Sequence, residues 1–438
     1  MTKRVFLDYA ATAPLLPEVR EALNSPAVSG LGNASALYLE GKLARQALEQ
    51  ARTDLAEVLS CSPHELYFCS GGTEAAGTLV EGITRSALEK SGKKQARMHV
   101  VCAAFEHHAV LNSVLSLKRL GFEVELVRPN REGRISPESL RASLRPDTLM
   151  VAVMLAQNEL GTVQDIGRLA ELSHGVGALF VCDCVQGLGK LLINLADSGI
   201  DAACFSSHKI GGPYGVGAFF LRSSVPCSPR QLGGGQERRI RSGTQDVPGA
   251  VGFSLAAKLE TAALLEGEGA RLAVATDGRG DRPYTAPAIS AGEGTSLAVA
   301  TDGRGDRPYK APAISVGEGT RLATLRDRLF VCLTHRSDRI RSTVTILEGD
   351  TSSHLPGHLH LLVEGIESQT MVLKLDELGY AVSGGAACST NSLEPSHVLT
   401  SMGISKDKAY GALRISMGRE TTAEDCASFA DALISILS

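Results

Sequence analysis

The chain reads as an α/β protein, with a mainly parallel sheet carrying helices on both faces and a smaller α+β part at the C-terminal end. Two observations predict this. Short apolar runs at residues 99–103, 122–127, 149–155 and 178–181 alternate with helical segments, as strands joined by crossover helices do. Residues 42–59 place Leu43, Ala47, Ala51, Leu55 and Val58 at the 3.6-residue period of an amphipathic helix. A chain of 438 residues with 43% hydrophobic content buries a large core and usually divides in two. The expected division is a large domain over residues 12–252 and a small domain over 253–438 together with 1–11.

The first element with chemical content is Phe68-Cys69-Ser70-Gly71-Gly72-Thr73-Glu74-Ala75-Ala76: a strand, two glycines, a hydroxyl and a helix-compatible run. Backbone N–H groups at such a helix start make an anion site, though a glycine pair also occurs in ordinary turns. Next, the apolar run from Ala178 ends in Asp183, where α/β sheets bind ligands. An aspartate there also serves as a helix N-cap; held against a pyridine nitrogen it keeps pyridoxal phosphate protonated and electron-withdrawing. Ala202-Ala203-Cys204-Phe205 then leads into Ser206-Ser207-His208-Lys209, which sets one lysine just past a buried strand. A desolvated lysine is a Schiff-base candidate, whereas most lysines are solvated surface charges. Phosphate cradle, ring-nitrogen partner and lysine follow one another in the order that fold-type-I pyridoxal-phosphate enzymes use.

Cys388 lies in Val382-Ser383-Gly384-Gly385-Ala386-Ala387-Cys388-Ser389-Thr390-Asn391, among small and hydroxylic residues that suit a loop. Cys102, Cys182, Cys204 and Cys332 have apolar neighbours and read as core fillers. Arg414, within Ala412-Leu413-Arg414-Ile415-Ser416, sits in a strand-like run where an unpaired guanidinium is costly to bury, so a carboxylate partner is expected, from a nearby Asp or Glu or from a substrate.

With these residues in place the chain resembles the cysteine desulfurases, the class-V aminotransferase-like enzymes of pyridoxal-phosphate fold type I. The resemblance runs nearly end to end, from Phe6-Leu7-Asp8-Tyr9-Ala10-Ala11-Thr12 through Glu106-His107-His108, Asn158-Glu159-Leu160-Gly161 and Gly233-Gly234-Gly235-Gln236-Glu237 to Arg414. It implies that Lys209 carries the cofactor, that Asp183 pairs with its ring nitrogen and that His107 stacks on the ring and moves protons. Gln186 and Asn158 would bond the ring oxygen and the substrate side; Gly72, Thr73, Ser206 and His208 would hold the phosphate. Thr244 would reach the phosphate of a neighbouring subunit, which implies a homodimer with a shared site. Arg414 would take the α-carboxylate of L-cysteine, and Cys388 would attack the substrate sulfur and pass it to an acceptor protein such as an iron–sulfur scaffold. Leu393-Glu394-Pro395-Ser396-His397 is similar to the long-loop subgroup that feeds iron–sulfur assembly, although Gly384-Gly385-Ala386 depart from its usual Ser-Gly-Ser. A selenocysteine lyase would use the same residues; another class-V aminotransferase would not need Cys388.

Net charge of −4 with both signs interspersed leaves no basic footprint for nucleic acid. No apolar run is long enough to span a membrane, and the family match opens at Phe6, so neither a membrane anchor nor a signal peptide is expected. The ten cysteines are scattered, with neither zinc-site nor disulfide spacing, which points to a reducing cytoplasm and to no metal.

One segment stands outside this pattern. Residues 271–295 and 296–320 are tandem copies that differ only at Arg271/Ser296, Thr285/Lys310 and Ala291/Val316. Rich in Gly and Pro, they read as an exposed excursion from the fold, and the Arg-Gly-Asp triplets within them as part of that solvated loop. Their excision joins Ala270 to Arg321 and brings the chain to a usual length for the family.

Overall fold

The computed structural model describes residues 4–91, 98–265, 317–385 and 394–437. Among them are β1 (Val5–Phe6), β2 (Leu66–Cys69), β3 (His99–Ala103), β4 (Glu123–Val127), β5 (Thr148–Ala152), β6 (Leu179–Asp183), β7 (Ala202–Ser206), β8 (Gly217–Leu221), β9 (Ile340–Ser342), β10 (His358–Val363), β11 (Tyr380–Ala381) and β12 (Ala412–Ser416). The main sheet has the order β2-β8-β7-β6-β5-β3-β4, parallel except for β8, which runs against both its neighbours.

Alternation along each strand divides the core. Phe180 and Cys182 of β6, with Ala203 and Phe205 of β7, face one layer, which contains the packed helices Leu39–Leu59 and Val247–Leu265. Val181 and Cys204 face the other, with Ala75, Leu79 and Ile83 of the helix Gly72–Ser91. Helices therefore cover both faces, as expected of a parallel sheet. β2, β3, β5, β6 and β7 end at one edge, and the chain leaves β3 for β4 on one side but returns to β5 on the other. Such a switch point opens a crevice at the carboxyl ends of the strands.

A second, antiparallel sheet has the order β12-β10-β9 and packs on the helices Glu318–Arg336, Ser368–Glu377 and Ala423–Leu437. The N-terminal strand β1 pairs in parallel with β11, so residues 5–6 sit with this layer.

Two boundaries differ from the sequence reading. The helix expected from residue 42 starts at Leu39, because its first turn is exposed and carries no apolar period. Residues 318–320, taken as the end of the second repeat and outside the fold, form the first turn of the helix Glu318–Arg336. Glu318 there complements the helix dipole and accepts from Arg321 Nε at 2.8 Å, while Arg321 Nη1 reaches Thr421 O at 2.7 Å. Residues 271–316 lie outside the described residues. Cys102, Cys182 and Cys204 are buried as expected, but Cys332 is only half-buried.

Candidate active site

The crevice collects most of the residues singled out from the sequence. After β2, Gly71 takes φ +151°, and a Cβ on Gly72 would lie 3.0 Å from Val185 Cγ2 and 3.6 Å from Ser206 Cβ. The start of the helix Gly72–Ser91, with the backbone N–H groups of Gly72 and Thr73, is thus set against the end of β7. First-turn N–H groups have no partner within a helix, so they are available to an anion. Glu74 closes this turn by accepting from Ser70 N at 2.8 Å and from Arg241 Nε at 2.7 Å. Those bonds, with Arg241 first, hold its carboxyl at about 2 against the upward push of burial.

Asp183 ends β6 and is buried, with Oδ1 accepting from Val185 N at 2.9 Å. Burial pushes its carboxyl up; the nearby His107 and then the Val185 N–H, the Cys204 thiol and Lys209 pull it back. His107 caps the helix His108–Ser116, its Nδ1 accepting from Ala109 N at 3.1 Å, which assigns the ring proton to Nε2. Burial pushes this imidazole down from its ordinary value, which favours the neutral ring.

β7 ends at Ser206, which is buried, and a tight turn over Ser207–Ile210 follows. Gly212 packs closely beside it: a Cβ there would lie 2.1 Å from Ser207 Oγ and 3.2 Å from Ser207 O, so Ser207 would have to turn to admit a side chain. Tyr214 stacks on His208, with ring centres 5.5 Å apart. His208 Nδ1 lies 3.1 Å from Thr12 Oγ1, and burial, then the charges of Lys209 and Lys190, depresses the imidazole to about 4. Lys209 Nζ donates to Ala10 O at 2.9 Å and Ala11 O at 2.6 Å.

The N-terminal segment is therefore a strap across the site. Gln186 Nε2 donates to the same Ala10 O at 2.8 Å. Asp8 accepts from Arg414 Nη2 at 2.7 Å, and Arg414 Nη1 donates to Asn158 O at 3.0 Å. Arg414 Nε is buried and has no partner. Of the carboxylates considered for Arg414, the one in contact is a chain residue, Asp8; burial pushes its carboxyl up, opposed by Arg414 and Lys209. Asn158 is buried in the turn after β5, its Oδ1 3.4 Å from Gln157 Nε2.

Cys388 lies outside the described residues, but the chain leading to it is anchored. Ser383 and Arg414 form a β-bridge, with Arg414 N donating to Ser383 O at 2.6 Å. Thr244 is exposed on the segment that follows the glycines Gly233, Gly234 and Gly235. This segment is pinned by Glu237, buried and accepting from Arg52 Nη1 at 2.7 Å, Arg52 Nη2 at 2.9 Å and Phe68 N at 2.9 Å. Glu237, Arg238 and Arg239 all hold positive φ, a strain that this fork offsets. Glu237→Ala takes the buried carboxylate from Arg52, leaving it the exposed Glu49 and Leu66 O, and is expected to destabilise the protein by about 3 kcal/mol, read from denaturant unfolding.

Four polar residues around the crevice carried no role in the sequence reading. Asp8 and Glu159 stood inside matched motifs, as did Glu106, which is buried and pushed well up by burial with Oε1 accepting from Met154 N at 2.5 Å. Glu159, also pushed up by burial, accepts from Ser396 Oγ at 2.6 Å. Lys190 had no motif to mark it.

Comparison with known proteins gives a consistent result. The family described as aminotransferase class-V matches residues 5–268. The cysteine desulfurase IscS of Methanosarcina thermophila is 33% identical over 423 residues, covering 97% of this chain and 89% of that protein. The cysteine desulfurase IscS of Anaeromyxobacter dehalogenans is 34% identical over 424 residues, covering 96% and 89%. The solved structure of a NifS-like protein superposes with a TM-score of 0.78 at 27% identity, covering 99% of both chains. Family match, near-full-length relatives and shared fold agree, and the chain belongs to the class-V aminotransferases, among the pyridoxal-phosphate-dependent cysteine desulfurases.

Proposed function

We propose that this chain converts L-cysteine to L-alanine, leaves the sulfur on Cys388 and hands it to an acceptor protein such as an iron–sulfur scaffold, working as a cytoplasmic homodimer. The observation that carries this reading is the convergence of Gly72, Asp183, Ser206 and Lys209 at one sheet edge. Pyridoxal phosphate makes three demands, and the donor set fits each. The helix start at Gly72 and Thr73, against Ser206 and beside His208, offers donors for a phosphate where a side chain at Gly72 would intrude. Asp183 offers a buried carboxylate for the ring nitrogen, and Lys209 an amine for the aldehyde. Bound there, the cofactor supplies an electron sink for the substrate's Cα.

The chain's own residues do the rest. Lys209 is the point of covalent attachment and the base that takes and returns the Cα proton. His107, neutral and carrying its proton on Nε2, would lie against the ring, and Gln186 would donate to the ring oxygen. The substrate carboxylate takes Asp8's place on Arg414, and the unpartnered Nε of Arg414 supports a carboxylate site there. The Cys388 thiolate then attacks the substrate sulfur: an S–S bond forms, the C–S bond breaks with its electron pair left on carbon, and a persulfide remains on Cys388. Thr244 is exposed, as are the large apolar residues Leu37, Tyr38, Leu39 and Leu232, which supports a second copy of the chain as partner. Among the described residues no helix is long and apolar enough to cross a membrane.

Purified protein supplied with the cofactor should release alanine from cysteine and carry a persulfide on Cys388 by peptide mass spectrometry; absence of alanine overturns the reading. Arg414→Lys is expected to raise KM for cysteine about 10–100-fold, the loss of one or two charge-assisted hydrogen bonds, with a smaller change in kcat. Steady-state kinetics with cysteine check this.

A further inference from the structure

A second lysine stands behind the first. Lys190 lies four residues past Gln186, beyond a turn in which Lys190 N donates to Gly187 O at 3.0 Å. Its side chain turns back so that Nζ meets Gln186 Oε1 at 2.6 Å. Gln186 Nε2 in turn donates to Ala10 O, which also accepts from Lys209 Nζ. Lys190, Lys209 and Glu260 line one cavity of about 70 Å³ between the helix Val247–Leu265 and the start of the helix Glu318–Arg336.

Partly burying an amine is unfavourable, and Lys190 sits half-buried against that cost. Burial depresses its pKa to about 7, the charges of Lys209 and Arg414 add to this, and Glu260 opposes it. The cation paired with Glu260 is Arg419, Nη1 at 3.8 Å, and burial pushes the Glu260 carboxyl up, so an ion pair with it does not explain Lys190. What remains is the hydrogen bond to Gln186. An amide has an accepting end and a donating end, and which way it faces follows from its partners.

We propose that Lys190 is a positioning residue for the cofactor: its bond to Gln186 Oε1 faces the amide so that one Nε2 hydrogen goes to Ala10 O and the other is presented to the ring oxygen of pyridoxal phosphate. This rests on the reading of Gln186 given above. It gives Lys190 a role distinct from Lys209, although both amines lie in the same field.

The test uses full-length protein stripped of cofactor and titrated with pyridoxal phosphate, reading the dissociation constant and the visible absorption maximum of the complex. Lys190→Met, of similar shape without the donor, should weaken binding about 2–10-fold, the range of one hydrogen bond, and shift the maximum. Lys190→Gln, which keeps a donor without the charge, should hold both readouts nearer the parent and serves as the decisive variant if Lys190→Met does not fold. Made in a Gln186→Ala background, Lys190→Met should add nothing further. An undiminished effect of Lys190→Met in that background, or loss of both readouts in Lys190→Gln, overturns the role assigned to Lys190 while leaving Gln186 at the cofactor. Parent-like readouts in Gln186→Ala itself overturn the reading of Gln186 and the proposal with it.

Discussion

Lys209→Ala is expected to leave a folded protein that holds pyridoxal phosphate without covalent attachment and turns over cysteine at least about 10²–10⁴-fold more slowly, the scale of losing a positioned acid–base group. Folding should survive because the amine sits at the rim of the core, bonded to two carbonyls of the N-terminal strap. Cofactor retention should survive in part because the helix start at Gly72 and the carboxylate of Asp183 are untouched. Borohydride reduction of the parent followed by peptide mapping should place the label on Lys209. Lys190 makes this a real choice between two amines, since its depressed pKa also leaves it partly neutral near pH 7; a label on Lys190 would overturn the assignment.

Cys388→Ala separates binding from sulfur transfer. The variant should bind cofactor and cysteine with parent-like spectra, because none of the groups around the ring changes, yet release little or no alanine and form no persulfide. Seven of the other thiols offer no easy substitute. Burial pushes Cys61 and Cys69 up to about 12, Cys227 and Cys426 to about 11, and Cys102, Cys182 and Cys204 well above the ordinary thiol value. A thiol held so high supplies almost no thiolate at neutral pH. Undiminished alanine release from Cys388→Ala would remove that residue from the mechanism.

Much of the large sheet was legible because its signals are local. The runs at residues 99–103 and 178–181 coincide with β3 and most of β6, and the aspartate and lysine stand where those patterns place them, at or just past strand ends. What escaped was contact between distant parts of the chain. Ala10 meets Lys209 and Asp8 meets Arg414 across 199 and 406 residues of sequence, and no period or turn signal reports such a pairing. Asp8 was quoted as a motif residue, yet nothing local shows that its carboxylate occupies Arg414. Lys190 looks like one more surface lysine until Gln186 is seen above it. His358 and His360, on strand β10, had no part in the sequence reading; both are buried and pushed down by that burial, and His358 Nε2 lies 2.8 Å from Glu159 O.

The helix Glu318–Arg336 opens inside the duplicated sequence, and this bears on how the gene can vary. Glu318-Gly319-Thr320 precedes Arg321-Leu322-Ala323; Glu293-Gly294-Thr295 precedes Ser296-Leu297-Ala298, and Glu268-Gly269-Ala270 precedes Arg271-Leu272-Ala273. Loss of one whole unit, or of both, therefore sets another Glu-Gly pair in front of Arg321 and restores the glutamate that Arg321 holds. Each doubling of the connection costs only about 0.6 kcal/mol in closure entropy, so selection on stability barely counts the units. A deletion that takes Glu318 out of step with the unit has no such protection, because it sets no other glutamate three residues ahead of Arg321. Whole units can thus be lost without depriving Arg321 of its glutamate, and the constraint falls on the three residues in front of that arginine.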